Sequence, residues 1–117
     1  MREAIRDKAR LEHIVQAIDY VEEFTRGVSR EQFSNDVMRR FAVIKNIEII
    51  GEASYMLTNE FRDAHGQVPW RKIIAMRHVL VHGYCQINDD FLWLTIQEEL
   101  APLKSAIQSI IEAEFTQ

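Results

Sequence analysis

The chain has 117 residues, of which 47% are hydrophobic and 27% are charged, a balance typical of a folded globular domain rather than a disordered segment. Its single cysteine, Cys85, excludes an internal disulfide bond and a zinc site built from several cysteines. Its formal net charge of −4 argues against a surface that binds nucleic acid over its whole extent, so any phosphate contact must come from a local basic patch.

The N-terminal segment MREAIRDKARLEH is charged along its length and lacks the apolar core of a signal peptide. No stretch of the sequence approaches the roughly 20 apolar residues that a membrane-spanning helix needs. We therefore expect a cytoplasmic protein without membrane association. The length predicts one domain over residues 1–117.

The first third of the chain indicates a long helix followed by a short one. Apolar residues recur at spacings of three and four, which predicts a single buried stripe made of Leu11, Ile14, Val15, Ile18, Val21 and Phe24. Gly27 is expected to end this helix. Ser29 and Gln32 have the spacing of a capping box, which predicts a short helix after it.

A second long helix is predicted to begin at Ser34-Asn35-Asp36, which offers capping side chains. Between Ile47 and Gly51 only Glu48 is not apolar, and a helix that is apolar most of the way round contacts protein on more than one side. We expect the second side to contact another subunit. The residues predicted on or near the buried side are Val37, Phe41, Ile44, Ile47, Ala53, Met56 and Leu57.

The remaining segments predict two more helices. His65–Pro69 is expected to be a loop, Trp70 opens a third helix, and Gly83 is expected to end it. Asn88-Asp89-Asp90 offers the next cap, and Pro102 should kink the final helix because it lacks an amide donor. The apolar stripe of that helix is Leu92, Ile96, Leu100, Leu103, Ile107 and Ile110. The fold class is all-α, a bundle of four main helices with an additional short one.

The stretch RHVLVHGY, residues 77–84, places polar side chains on both sides of a short apolar segment. His78 and His82 have the spacing of a zinc-binding helix, but Val79 replaces the catalytic glutamate and no third ligand stands out, so we expect no metal and no cofactor. Arg77, His82 and Tyr84 are the stronger candidates. On a continuous helix, the five-residue step from Arg77 to His82 rotates by about 140°. The two side chains act on one substrate only if the helix unwinds near Gly83 or if two chains contribute.

An arginine and a histidine together suit the cleavage of RNA. The guanidinium fork matches phosphate oxygens, and imidazole moves protons near neutral pH. RNA carries its own nucleophile, the 2′-hydroxyl, so a proton carrier and a fixed cation can cleave it without metal.

The order Arg77, four residues, His82, one residue, Tyr84 resembles the R-x4-H-x-Y motif of HEPN-domain proteins, and specifically the HepT-like toxin family of prokaryotic toxin–antitoxin pairs. The stretches NIEIIGEAS (residues 46–54) and VPWRKIIAMRHVLVHGY (residues 68–84) are similar to that family, as are the following IND with Trp93 and the order of helices. The likeness covers nearly the whole chain. One departure is His78, where many relatives have asparagine.

The resemblance implies a HEPN-type four-helix bundle that forms a homodimer, with the two motifs facing each other across the dimer cleft. It implies a metal-independent ribonuclease acting on cellular RNA such as tRNA or mRNA, with Arg77 and His82 as the catalytic pair. It further implies that Tyr84 is the residue to which a cognate antitoxin, a minimal nucleotidyltransferase of the MntA type, adds AMP. The alternative is a non-catalytic module that holds a nucleotide or substrate for such a nucleotidyltransferase.

Four further residues are candidates for supporting roles. Asn46, Glu48 and Glu52 match the family's second-helix stretch, either as hydrogen-bonding supports of the cleft or as ordinary packing residues. His78 either contacts RNA or fills space. A basic rim for RNA is a weaker expectation, since charged faces are usually only solvated; its members would be Arg39, Arg40, Lys45, Arg71 and Lys72.

Overall fold

The computed structural model describes residues 2–82 and 88–115, and the regular structure in these ranges is entirely helical. A π-helical turn, Thr95–Glu99, joins the last two helices. The predicted all-α class is therefore confirmed. The long helices are α1 (Arg2–Thr25), α3 (Val37–Met56), α5 (Trp70–His82) and α7 (Leu100–Phe115), and the short ones are α2 (Arg30–Asn35), α4 (Asn59–Ala64) and α6 (Asp89–Leu94).

The core lies where α3 packs between α1 and α5, and α7 packs against α1 and also borders the first half of α5. The predicted stripe of α1 is confirmed, because four of its residues are fully buried and Val15 and Phe24 pack partly buried against the core. Those four residues are Leu11, Ile14, Ile18 and Val21. The stripe of the last helix is confirmed as well, since all six of its predicted residues are buried.

The buried side of α3 was predicted wrongly at three positions. Val37, Phe41 and Met56 are 64%, 60% and 51% exposed. The physical reason is helical register: the inward stripe of α3 follows Val43, Ile47, Ile50 and Ser54, so these three apolar residues fall on the opposite face.

Side-chain caps fix the ends of the helices as the sequence predicts. Ser29 and Gln32 form the reciprocal capping box, with Gln32 N donating to Ser29 Oγ at 3.1 Å and Ser29 N donating to Gln32 Oε1 at 2.9 Å. Asp36 caps α3, and Asn88 caps α6. Gly27 follows α1 with a φ of 70°, a conformation that glycine adopts without strain.

Two irregular features shape the second half of the fold. The short helix α4 was not predicted; Thr58 caps it by accepting from Phe61 N at 3.1 Å. Pro102, where the sequence predicts a kink, lies in the first turn of α7, and the irregular turn of this region is the π-helical one, Thr95–Glu99, three residues before it. No helix of the described ranges is long and apolar enough to span a lipid bilayer.

Candidate functional site

Helix α5 carries the motif and is anchored at both its start and its inner face. Trp70, its first residue, is buried and donates from Nε1 to the His65 carbonyl at 3.0 Å, which joins the helix to the predicted loop before it. Ile73, Met76 and Leu80 form the inward stripe. Because Arg77 directly follows one of these residues, it lies at the edge of the core and is partly buried, whereas His78 is exposed.

Gly51 of α3 sets the distance between α3 and α5 at the level of Arg77. A Cβ atom at position 51 would overlap the Cβ of Arg77, and it would lie 3.2 Å from the Ile73 carbonyl oxygen. The missing side chain thus allows the two backbones to approach closely, which fixes where the Arg77 side chain leaves the core.

The other members of the motif stand at or beyond the end of α5. The helix continues through His82, so position 82 lies about 140° round the axis from position 77 and about 7.5 Å further along it. The side chain of His82, together with Gly83, Tyr84 and Cys85, lies outside the described residues. The helix is regular up to position 82, and the unwinding considered near Gly83 lies outside the described residues.

The three polar candidates on α3 have different surroundings. Asn46 donates from Nδ2 to the Ala42 carbonyl of its own helix at 2.9 Å. Glu48 is partly buried, with Lys45 Nζ 3.8 Å from its Oε2. Glu52 is exposed and borders a groove shared with Arg10 and His13 of α1. Glu48 lies about one helical turn before Gly51, the residue that contacts α5 at Arg77.

Most members of the expected basic rim are paired with carboxylates. Arg39 bonds Asp36 at 2.7 Å, and Arg40 bonds Asp89 at 2.7 Å. The remaining pairs are Lys45 with Glu48, and Lys72 with Glu99 at 2.7 Å. Arg71 is the exception, since its guanidinium has no hydrogen-bond or ion-pair partner within the described part of the chain. A continuous rim of unpaired cations is thus not present along these five residues.

The described residues contain no group of three histidine, cysteine, aspartate or glutamate side chains placed to hold a metal ion. The chemistry that the described site offers is that of Arg77. Arg77 is partly buried as a residue, and it too has no hydrogen-bond or ion-pair partner in the described ranges. A partly desolvated cation without a carboxylate is suited to binding an anion.

Comparison with known proteins places this helical arrangement in a family. Residues 14–110 match the family model described as ribonuclease HepT-like. The chain belongs to the HepT-like family. It is 41% identical over 100 residues to “Probable ribonuclease HepT” of Thermococcus cleftensis, covering 86% of this chain and 91% of the relative. It is 36% identical over 103 residues to “Putative RNase MJ1380” of Methanocaldococcus jannaschii, covering 88% and 94%. No solved structure matches the chain.

Sequence reasoning about this HepT-like chain overlooked the role of Gly51 and the exposure of Tyr55. A signal for Gly51 was present, because glycine inside an apolar helix costs about 1 kcal/mol relative to alanine and usually marks a close approach. Tyr55 is 62% exposed, and helix periodicity did not separate it from the buried residues nearby.

Proposed function

We propose that this HepT-like chain is a metal-independent endoribonuclease that acts as the toxin of a toxin–antitoxin pair in the cytoplasm. The observation that carries the proposal is the partly buried Arg77, whose guanidinium lacks a carboxylate partner among the described residues. An arginine at the edge of the core whose charge no carboxylate neutralises favours an anionic ligand. The relatives are named as ribonucleases, which supports RNA as that ligand.

The reaction begins when His82 takes the proton of a ribose 2′-hydroxyl. The 2′-oxygen then forms a bond to phosphorus, the bond from phosphorus to the 5′-oxygen breaks, and the proton that His82 has taken is passed to that leaving oxygen. The products are a 2′,3′-cyclic phosphate and a 5′-hydroxyl. Arg77 stabilises the additional negative charge of the pentacoordinate phosphorane, for which its planar fork is suited.

A homodimer brings the two groups together. Positions 77 and 82 lie about 140° apart on one continuous helix, so two facing copies of α5 are the simpler way to expose both groups to one phosphate. The exposed apolar residues Val37, Met38 and Phe41 of α3 support such an association, because apolar surface of this kind usually marks a contact.

Tyr84 is proposed to receive AMP from an MntA-type nucleotidyltransferase antitoxin. The added phosphate places negative charge two residues from His82, which repels RNA from the cleft. Coexpression with such a partner is expected to increase the mass of the chain by whole AMP units, and Tyr84→Phe is expected to remove that increase.

The test of the ribonuclease is cleavage of purified cellular RNA with and without EDTA. Wild type is expected to cut in both conditions and to leave 2′,3′-cyclic phosphate ends. Arg77→Ala and His82→Ala are each expected to reduce the rate by at least about 100-fold, the usual loss when one transition-state donor or proton carrier is removed. Arg6→Ala, which removes an exposed arginine near the start of α1, is the control and should cut as wild type does.

Two results would contradict the proposal. Activity that EDTA abolishes and a divalent ion restores would show a metal-dependent enzyme. RNA left intact by wild type and by both variants alike would instead favour the non-catalytic module that binds a nucleotide for its partner, and expression of the chain alone would then leave cell growth unaffected.

A further inference from the structure

A groove at the N-terminal end of α5 combines an aromatic face with two arginines. It has a volume of about 410 Å³ and lies between the end of α3, the helix α4 and the start of α5. Tyr55 lines the groove and is 62% exposed, although an aromatic side chain as large as tyrosine is usually more buried. The groove is lined by Tyr55, Asn59, Arg62, Asp63, Trp70, Arg71 and Ile74.

The two arginines of the groove differ in their hydrogen-bond partners. Arg62 Nη2 donates to Asn59 Oδ1 at 2.5 Å, which fixes one edge of its guanidinium and leaves the other donors available. Arg71 is exposed and has no hydrogen-bond or ion-pair partner within the described ranges. With Asp63 as the single carboxylate, the groove carries a net charge of +1 on a chain whose formal net charge is −4.

Arg71, which lines the groove, lies on the side of α5 that leads to position 82, whereas position 77 lies about 120° round the axis from it. Positions 71, 78 and 82 are spaced by seven and four, so they follow one another along one side of α5. Arg71 lies about 9 Å along the axis from Arg77 and about 16 Å from position 82. At about 3.4 Å per nucleotide in a stacked strand, these distances correspond to roughly three to five nucleotides.

We propose that the Tyr55–Arg62–Arg71 groove is a binding site for single-stranded RNA, in which Tyr55 stacks on a base and Arg71 and Arg62 hold the neighbouring phosphates. This inference rests on the proposed ribonuclease, because the strand bound in the groove is taken to be the RNA that the enzyme cleaves. Aromatic faces and arginine forks are the groups by which proteins bind unpaired nucleotides without reading their sequence. A duplex does not fit this mode, because its bases are not free to stack on Tyr55.

The test measures binding of a short fluorescein-labelled single-stranded RNA by anisotropy, alongside the KM and kcat of cleavage. Tyr55→Ala is expected to raise the Kd and the KM about tenfold and to leave kcat near wild type, the loss expected for one stacked base. Tyr55→Phe keeps the ring and should restore wild-type binding. Arg71→Gln should reduce the slope of log Kd against log salt by about 1, as removal of one phosphate contact does. Arg6→Gln, which removes one exposed positive charge outside the groove, is the matched control.

The possible outcomes distinguish failure of the groove as an RNA-binding site from failure of the proposed ribonuclease activity. If wild type cleaves RNA but Tyr55→Ala and Arg71→Gln keep its Kd and KM, the groove is not an RNA site and the ribonuclease remains. If RNA binds with the expected dependence on both residues and is not cut, the groove remains and the ribonuclease fails. If Tyr55→Ala halves the mass measured by light scattering, Tyr55 belongs to a contact between copies of the chain and the inference is overturned.

Discussion

Position 51 controls the approach of α3 to α5 and therefore the placement of Arg77. Gly51→Ala introduces a methyl group where the Cβ of Arg77 already lies, and both neighbours are backbone or the first atom of a side chain, so neither can move without moving α5. We expect a loss of about 1–3 kcal/mol in the free energy of unfolding, as overpacking of a core usually causes. We also expect slower RNA cleavage, because a displacement of about 1 Å costs up to about 100-fold in rate.

Gly66→Ala is the matched control for this substitution. Gly66 lies in the loop before α5, and a Cβ there would meet only the Asp63 carbonyl oxygen at 3.8 Å, which is ordinary contact. It should fold and cleave as wild type does. Urea denaturation and initial rates of cleavage measure both effects, and equal values for the two variants would show that the contact at Arg77 has no consequence.

The motif identified Arg77 as a candidate from the sequence alone, but it could not predict which residues each candidate side chain contacts. Spacing alone places Arg77 and His82 on different sides of a helix, and this inference is what points to two chains. Whether Asn46 bonds its own helix or the cleft depends on side-chain rotamers, which a spacing argument does not contain. The same is true of the carboxylate partners of Arg39 and Arg40, one of which, Asp89, is 49 residues away.

At the scale of helices, Asp7 of α1 ties the N-terminal end of the bundle to α4. Its carboxylate is 5% exposed and accepts from Thr58 N at 2.9 Å and from Thr58 Oγ1 at 2.8 Å. Asp7→Ala should lower the free energy of unfolding by about 1–3 kcal/mol, because the amide of Thr58 loses its acceptor in a partly buried position. Glu3→Ala, an exposed change on the same helix, should alter it by less than about 0.5 kcal/mol. Equal urea midpoints for the two variants would contradict this role of Asp7.

Lys104 of α7 joins that helix to α1 through two carboxylates. Its Nζ lies 2.6 Å from Asp19 Oδ1 and 2.9 Å from Glu22 Oε1, and the hydrogen bonds to Asp19 and then Glu22 raise the pKa of Lys104 above its usual 10.5. A raised pKa stabilises the fold below pH 10.5, and this contribution is lost as the pH rises through the higher value in the folded protein.

The ion pairs of Lys104 with Asp19 and Glu22 are expected to contribute about 1 kcal/mol to the free energy of unfolding, since all three side chains are partly exposed to solvent. Lys104→Met should reduce the free energy of unfolding by that amount at neutral pH and by progressively less above pH 10.5. Chemical denaturation of both proteins across this range is the measurement. A difference that stays constant with pH would show that the lysine stabilises through its aliphatic stem rather than through its charge.

Periodicity and capping residues predicted the long helices because these signals are local. The stripes of α1 and of the last helix, and the caps at Ser29, Asp36 and Asn88, need no knowledge of the rest of the chain. The short α4 escaped prediction because six residues are too few to show a period, and its cap depends on Asp7, 51 residues away. The register of α3 was missed for a related reason: a helix with apolar residues on all sides does not indicate which side faces the core.

At the scale of the whole molecule, the exposed apolar residues of α3 are the surface through which we propose that two copies of the chain pair. Met38 is 84% exposed and Phe41 60%, and both lie in the N-terminal half of α3. We propose that two copies make contact through this surface and that the contact brings their two motifs together, since positions 77 and 82 lie about 140° apart on one helix. Phe41→Glu should therefore convert a dimer into monomers, because a carboxylate buried without a partner is strongly unfavourable.

Loss of the dimer should remove RNA cleavage while the helical fold is kept. Light scattering after gel filtration gives the mass, circular dichroism gives the helix content, and the rate of RNA cleavage gives the activity of the same samples. Ile5→Glu is the matched control, since Ile5 is 66% exposed near the start of α1 and its replacement adds the same charge. A monomeric Phe41→Glu protein that cleaves RNA at the wild-type rate would mean that one chain contains the complete site, and the requirement for two facing copies of α5 would be wrong.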